Sequence, residues 1–270
     1  MNWMNELFGV RKPIIAMLHL QPLPGDPLYT GSGLEDVVQK ASADLAALQA
    51  GGVDAVIVSN EFSLPYPRAM DHVTPASMAY VIGRLRPEIV VPFGVDAISD
   101  GGATLELAAA VEADFVRGTF TGVYVGDGGL YNNDVSKLLR RKADLGLDRL
   151  KMLYFLNPES DVNLDPRPLG QIAKSVAFKA HPDAYCISAS AAGQDVRDDL
   201  LREVKEAVPT VPVVCNTGLR KDTIEEKLRY ADAGVVGTTF KEEGDLFRPV
   251  DEARVSEFME EVRRFRATLG

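Results

Sequence analysis

Val213-Val214-Cys215-Asn216-Thr217-Gly218 and, one helix later, Gly234-Val235-Val236-Gly237-Thr238-Thr239-Phe240-Lys241 decide the fold. Each is a short apolar run that stops at small residues. Between them Asp222 with Glu225 marks a helix start of the capping-box type. Two such strand-to-turn transitions in succession are the sequence image of strands 7 and 8 of a (β/α)8 barrel, whose loops at that point usually hold a phosphate. Glycine lets backbone N–H groups approach an anion with no Cβ in between, and a helix N-terminus adds a favourable dipole. The pattern therefore predicts a small anionic, phosphorylated ligand held near Gly218, Leu219, Gly237, Thr238 and Lys241.

Outward from these turns the chain alternates strand and helix. Short, nearly continuous apolar runs fall at residues 13–20, 53–59, 89–95, 114–118, 150–156, 183–189, 211–216 and 234–238. Strands buried on both faces read this way. Leu34, Val37, Val38, Ala41, Leu45 and Leu48 form one helical face, closed by Gly51-Gly52. Val255, Phe258, Met259 and Val262 give the last helix its buried stripe. Strands alternate with helices without a break in composition, which predicts a closed α/β (β/α)8 TIM barrel. The 270 residues suit one such domain, with residues 1–11 as an N-terminal extension that lids the barrel bottom or meets another subunit. An open doubly wound sheet would carry a glycine fingerprint after strand 1. Gln21-Pro22-Leu23-Pro24-Gly25-Asp26-Pro27 is too proline-rich to cradle phosphate with its amides. No short internal repeat is evident.

Hydrophobic residues make up 46% and charged residues 25%, as in a globular protein rather than a disordered one. The net charge of −10 disfavours nucleic acid and anionic membranes, which need Lys/Arg. It leaves room for a small anionic ligand met by local donors. The two cysteines, Cys186 and Cys215, sit in apolar runs and read as buried reduced thiols, hence a reducing, cytoplasmic setting. No stretch approaches the roughly 20 apolar residues of a membrane span, and the N-terminus lacks the basic-then-apolar pattern of a secretory signal.

Functional residues of a barrel sit at strand C-termini and in the loops that follow. That rule selects His19, Asn60, Glu61, Asp96, Asp100, Arg117, Tyr124, Asp127, Asn157, Glu159, Ser188, Ser190, Asn216, Thr238 and Lys241. Asp96, His19 and Arg117 are the catalytic candidates: base, acid and oxyanion partner. Asn60, Glu61, Tyr124, Asp127, Ser188 and Asn216 are candidates for binding the substrate body. Each has a structural alternative. His19 serves as well as a hydrogen-bonded strand end, Arg117 as the partner of Asp96, and Asp100 as a helix cap. The glycine-rich stretch at residues 118–129 reads as a lid or as surface slack. Lys151 lies early in its strand, toward the bottom, and reads as a structural ion pair. No His-x-His, His-Glu-x-x-His or Cys-x-x-Cys is present, so no metal site is predicted; a loosely held Mg²⁺ on Asp96 or Glu61 stays open.

Lys12-Pro13-Ile14-Ile15-Ala16-Met17-Leu18-His19-Leu20-Gln21-Pro22-Leu23-Pro24-Gly25-Asp26-Pro27 resembles the opening of the BtpA/SgcQ family. So do Phe115-Val116-Arg117, Ala231-Asp232-Ala233-Gly234-Val235-Val236-Gly237-Thr238-Thr239-Phe240-Lys241 and Pro249-Val250-Asp251-Glu252-Ala253-Arg254-Val255. The resemblance spans nearly the whole chain and implies a TIM barrel. One branch is implicated in photosystem I assembly and another accompanies sugar-uptake genes. The chain departs from the family pattern after strand 2, where Ser59-Asn60-Glu61-Phe62-Ser63-Leu64-Pro65 keeps the Asn and Pro but has Ser at both acidic positions. It departs again after strand 5, where a Lys-His pair is missing, and after strand 6, where Ser188-Ala189-Ser190-Ala191-Ala192-Gly193 replaces Thr-Gly. The phosphate end is retained and the opposite half of the mouth is changed.

Three readings follow. One is an enzyme acting on a phosphorylated sugar or related metabolite, as a lyase/isomerase or glycosyl-bond hydrolase. The others are a non-catalytic assembly protein and an FMN-binding barrel. A homo-oligomer is expected in each.

Overall fold

The computed structural model describes residues 3–191, 194–216 and 218–269; Thr217 of the strand 7 motif and Ala192-Gly193 of the strand 6 motif lie outside the described residues. The barrel strands are β1 (Ile14–His19), β2 (Ala55–Ser59), β3 (Phe93–Asp96), β4 (Phe115–Gly118), β5 (Lys151–Asn157), β6 (Ala184–Ile187), β7 (Val213–Cys215) and β8 (Ala233–Val236). Each pairs in parallel with the next, and β8 pairs with β1 to close the barrel. The chain enters through α1 (Trp3–Phe8). The outer ring is α2 (Leu34–Ala50), α3 (Val73–Leu85), α4 (Gly101–Val111), α5 (Val135–Asp144), α6 (Leu169–Ala180), α7 (Asp198–Ala207), α8 (Ile224–Tyr230) and α9 (Glu252–Ala267).

Strand residues alternate between two cores, as a period of two requires. Ile14, Ala16, Leu18, Val56, Val58, Val95 and Val116 pack outward against the helices. Ile15, Met17, Ala55, Ile57, Phe115, Leu153, Ala184, Cys186, Val214, Ala233 and Val235 fill the barrel interior together with Met4 and Phe8 of α1. Phe8 meets Phe115 edge-on with ring centroids 5.6 Å apart, and Trp3 Nε1 donates to the Asp183 carbonyl at 3.0 Å. The N-terminal helix thus plugs the barrel bottom. Lys151 pairs with Asp183 at 3.1 Å on the same side, the structural ion pair expected of it.

An aspartate just before every second strand fastens the strand preceding it. Asp54, Asp114, Asp183 and Asp232 accept from the backbone N–H of Ile14, Phe93, Met152 and Val213, at 2.7, 3.0, 2.9 and 2.9 Å. This is a structural repeat of a two-strand unit, too short and too diluted by helices to show as a repeat in the sequence.

Two sequence expectations change. Strand 3 begins at Phe93 rather than residue 89, because Pro92 lacks an N–H for the ladder and Val90 N–H donates to the Gln49 side chain at 2.8 Å. The glycine-rich stretch is not slack: Val123–Gly126 and Gly129–Asn132 form a hairpin, which Asp161–Asn163 joins as a three-stranded antiparallel sheet over the barrel mouth.

Candidate functional site

Continuing each interior row by two residues reaches the C-terminal rim of the barrel. On six strands the row turns polar there: His19, Ser59, Asp96, Arg117, Ser188 and Asn216 follow Met17, Ile57, Gly94, Phe115, Cys186 and Val214, while Leu153 is followed by Phe155 and Val235 by Gly237. Above this layer lies a cavity of about 540 Å³. His19, Glu61, Asp96, Arg117, Asp127, Asn216, Gly218, Leu219, Gly237 and Thr238 line it, bringing together ten of the positions singled out in the sequence.

The centre of the cavity floor is Arg117. Its Nε donates to Asp96 Oδ2 at 2.9 Å, one terminal nitrogen lies 2.9 Å from the same oxygen as an ion pair, and the other terminal nitrogen donates to Asn216 Oδ1 at 3.1 Å. The guanidinium also lies 5.1 Å from the Phe155 ring centroid. Both Asp96 and Arg117 are buried, so each needs the other: an unpaired buried charge is costly. Asn216 extends the chain of contacts, its amide donating to Glu159 Oε1 at 3.2 Å and to Ser188 Oγ at 3.1 Å.

Three carboxyl groups therefore share one wall. Burial pushes Asp96 up to about 6 while Arg117 holds it back. Burial likewise pushes Glu159 up to about 7, against Arg117 and with help from Glu61 and Asp96. Glu61 is raised by burial too, opposed by Arg117 and by the Tyr66 hydroxyl, which donates to Glu61 Oε1 at 3.2 Å. His19 behaves differently. Burial, then the positive charges of Lys241 and Arg117, lower it to about 3, so the imidazole is neutral near pH 7. Its Nε2 lies 3.7 Å from Glu61 Oε2. Among the described residues, its Nδ1, Ser59 Oγ and Asn60 Nδ2 have no protein hydrogen-bond partner although buried.

The opposite end of the cavity is backbone. Gly218 and Leu219 follow β7, and Gly237 and Thr238 follow β8. A short 3-10 helix, Thr238–Phe240, leaves its first amides without intrahelical partners. Thr239 Oγ1 donates to the Leu219 carbonyl at 3.0 Å and ties the two loops together. Both glycines also have a packing reason. Gly218 has φ +67°, and a Cβ there would lie 2.1 Å from the Gln194 carbonyl oxygen; a Cβ on Gly237 would lie 3.0 Å from His19 Cε1.

Five sequence candidates have work away from the cavity. Lys241 is buried and its ammonium is bound to Asp44 Oδ2 of α2 at 2.7 Å, so it braces the C-terminal segment rather than reaching for an anion. Tyr124 is buried with its hydroxyl donating to the Leu156 carbonyl at 3.2 Å, pinning the small sheet to the barrel. Asn60 accepts from Ile98 N–H at 2.8 Å. Ser188 lies beneath the wall as a support for Asn216. Asp100 caps α4 by accepting from Ala103 N–H at 3.0 Å. Glu159, selected in the sequence without a role, also lines the cavity, as do Arg68 and Phe155, which were not selected. Arg68 lines the mouth, pairs with Asp161 at 3.1 Å and stacks 4.5 Å over Tyr131. Its distance from any strand end hid it. Among the described residues no group of three or more His, Cys, Asp or Glu is arranged to hold a metal ion.

The sequence model of the BtpA family matches residues 10–264. The sgc region protein SgcQ of Escherichia coli K12 is 45% identical over 98% of this chain and 100% of its own length. The Photosystem I biogenesis protein BtpA of Synechocystis is 29% identical over 94% of this chain and 89% of its own. Among solved structures, (S)-3-O-geranylgeranylglyceryl phosphate synthase from Thermoplasma acidophilum, in complex with its substrate sn-glycerol-1-phosphate, superposes with a TM-score of 0.61 at 16% identity. It covers 97% of each chain, a likeness of fold.

Proposed function

The chain belongs to the BtpA family, and on that premise we propose that it is an enzyme acting on a small phosphate ester, a phosphorylated sugar or related metabolite, by acid–base chemistry. One observation carries the reading: a single cavity joins backbone turns after β7 and β8 to a carboxyl-lined wall centred on Arg117. Gly218, Leu219, Gly237 and Thr238 would hold the phosphate. Asp96 would remove a proton, and Arg117 would stabilise the oxyanion that develops. His19, neutral, would act as a hydrogen-bonding group rather than as a charged acid. A lyase or isomerase fits these parts better than a glycosyl hydrolase, because Asp96 is tied to a guanidinium that suits an enolate oxygen. The phosphate ester in the like-folded synthase is in keeping with the reading.

A second reading, a non-catalytic assembly protein like the relative from Synechocystis, draws on a different observation. Val125 sits directly between Leu130 and Val162 across the small sheet, and all three side chains are exposed beside the mouth. An apolar row there suits a partner protein or a second copy of the chain.

A thermal-shift screen against phosphosugars, sn-glycerol 1-phosphate and FMN, each with and without Mg²⁺, decides between them. The enzyme reading expects a selective rise with a phosphate ester, about 2.7 kcal/mol of stabilisation at 100 times its Kd. No shift with any phosphate ester overturns it in favour of the assembly reading. A shift confined to FMN, with a yellow protein, makes it a flavin barrel.

A further inference from the structure

With His19 neutral, the acid of the site lacks an owner. We propose that Glu159 is that acid and Asp96 its partner base, the two acting on an enediol-type intermediate of the bound phosphate ester; the assignment rests on the phosphate-ester reading.

The argument begins with how Glu159 is held. The register of β5 against β6 shifts between Phe155 and Asn157. Asn157 then grips the end of β6 with both halves of its amide, donating to the Ser188 carbonyl at 2.6 Å and accepting from Ser188 N–H at 3.1 Å. Ser160 N–H donates to the Ser190 carbonyl at 3.0 Å. Glu159 stands between these two anchors, on the cavity wall. Hydrogen bonds on both sides of it restrict where this loop residue can stand.

The two carboxyl groups differ in what they face. Asp96 is bound directly to the guanidinium, which favours its charged form. Glu159 receives a hydrogen bond from a neutral amide instead. Asn216 cannot reverse that amide without turning its NH2 toward Arg117 and losing both bonds, so it fixes Glu159 Oε1 and Arg117 together. Two carboxyls in one cavity, one beside a cation and one beside a neutral donor, are the arrangement by which environment divides acid from base. The charged and titratable groups around Glu159 are Arg117 from β4, Asp96 from β3 and Glu61 from the loop after β2, with Tyr66 and Cys186 also within its field. Their balance with burial leaves Glu159 near 7 and Asp96 near 6, in the order the assignment needs.

The step balances. Asp96 takes a proton from the carbon beside a carbonyl; the C–H electron pair becomes the C=C bond of an enediol, and the carbonyl π pair moves to oxygen. Glu159 gives that oxygen its proton. Asp96 then returns its proton to the former carbonyl carbon, while the hydroxyl on the carbon first deprotonated gives its proton to Glu159 and becomes the new carbonyl; this completes the isomerisation of a hydroxycarbonyl ester and restores both carboxyls.

Calorimetric titration with 2-phosphoglycolate, whose carboxylate mimics the enediolate, tests it, with sn-glycerol 1-phosphate as the probe lacking that group. Wild-type affinity for 2-phosphoglycolate is expected to fall about tenfold between pH 6 and 8 as Glu159 loses its proton. Glu159→Gln, which keeps a donor but cannot ionise, is expected to bind with a much flatter profile. sn-Glycerol 1-phosphate is expected to bind both proteins alike. Independently of any variant, titration of the wild type at pH 8 in buffers of different ionisation enthalpy is expected to show uptake of close to one proton per bound 2-phosphoglycolate. Parallel profiles for wild type and Glu159→Gln, or no proton uptake, overturn the assignment of Glu159 while leaving the phosphate-ester reading standing. Binding of neither probe overturns the phosphate-ester reading, and the Glu159 assignment falls with it.

Discussion

Arg117 shows how one residue organises a site. It ends an interior row that begins with Phe115, so its charge arrives almost wholly buried at the floor of the cavity. Asp96 and Asn216 answer it, and Asn216 passes the constraint on to Glu159. The same burial has a consequence for stability. Glu159 titrates near 7 when folded, against an ordinary 4.5, so the folded state binds more protons between those values. Stability from this group is therefore complete below the lower value and is lost as pH rises through the window. Glu159→Gln escapes that loss. Urea denaturation is expected to find the variant equal to wild type near pH 4 and more stable near pH 8, by on the order of 1 kcal/mol once partial exposure is allowed for. His19, depressed to about 3, has the opposite slope, but it is present in both proteins and cancels in the difference. An advantage that does not grow with pH would contradict the environment described for Glu159. Asp96 and Arg117 were legible in the sequence because each is a charged residue at the end of an apolar run. Glu159 lacked a role there because its placement depends on the irregular β5 edge and on Asn216, which comes 57 residues later.

At the scale of elements, the direction of the strands decides what an aspartate does. Asp96 stands at a strand C-terminus and faces the cavity. Asp54, Asp114, Asp183 and Asp232 stand before strand N-termini and fasten the neighbouring strand. Asp114→Ala leaves the Phe93 N–H without its acceptor, which is expected to cost about 1–3 kcal/mol by chemical denaturation. Phosphate-ester affinity of the folded variant is expected to be unchanged, since conservation of the bottom of a barrel serves stability and its top serves chemistry. A loss of affinity without loss of stability would contradict this division. The strands were legible as short, nearly continuous apolar runs; which of their residues face the interior was not, because both faces are apolar. The small sheet over the mouth was not, because glycine at residues 118, 122, 126, 128 and 129 reads as slack. Its pairing is set by partners far along the chain, Val125 with Val162 and Gly126 with Asp161. Lys241 misled for a related reason. Its partner Asp44 lies 197 residues away on α2, and a lysine after strand 8 reads as an anion ligand until that partner is seen.

The whole molecule is a barrel closed at one end and open at the other. The N-terminal helix plugs the bottom with Met4 and Phe8, while the rim collects Arg117, the three carboxyls and the glycine turns. No helix among the described residues is long and apolar enough to cross a membrane. The barrel and the family were both legible in the sequence, because alternation and the motifs at both ends of the chain survive without knowledge of contacts. The central claim is that the turns after β7 and β8 receive the phosphate of a small ester. A carboxylate placed there should repel it, and Thr238 is the position to use: a Cβ on Gly237 would press on His19, whereas Thr238 already carries a side chain at the cavity. The measurement is calorimetric titration of wild type and Thr238→Asp with sn-glycerol 1-phosphate at one ionic strength. The account expects binding to wild type and at least a tenfold weaker affinity for the variant, with like charges near contact costing on the order of 1–4 kcal/mol. Equal affinity for both proteins, or none for wild type, would contradict it.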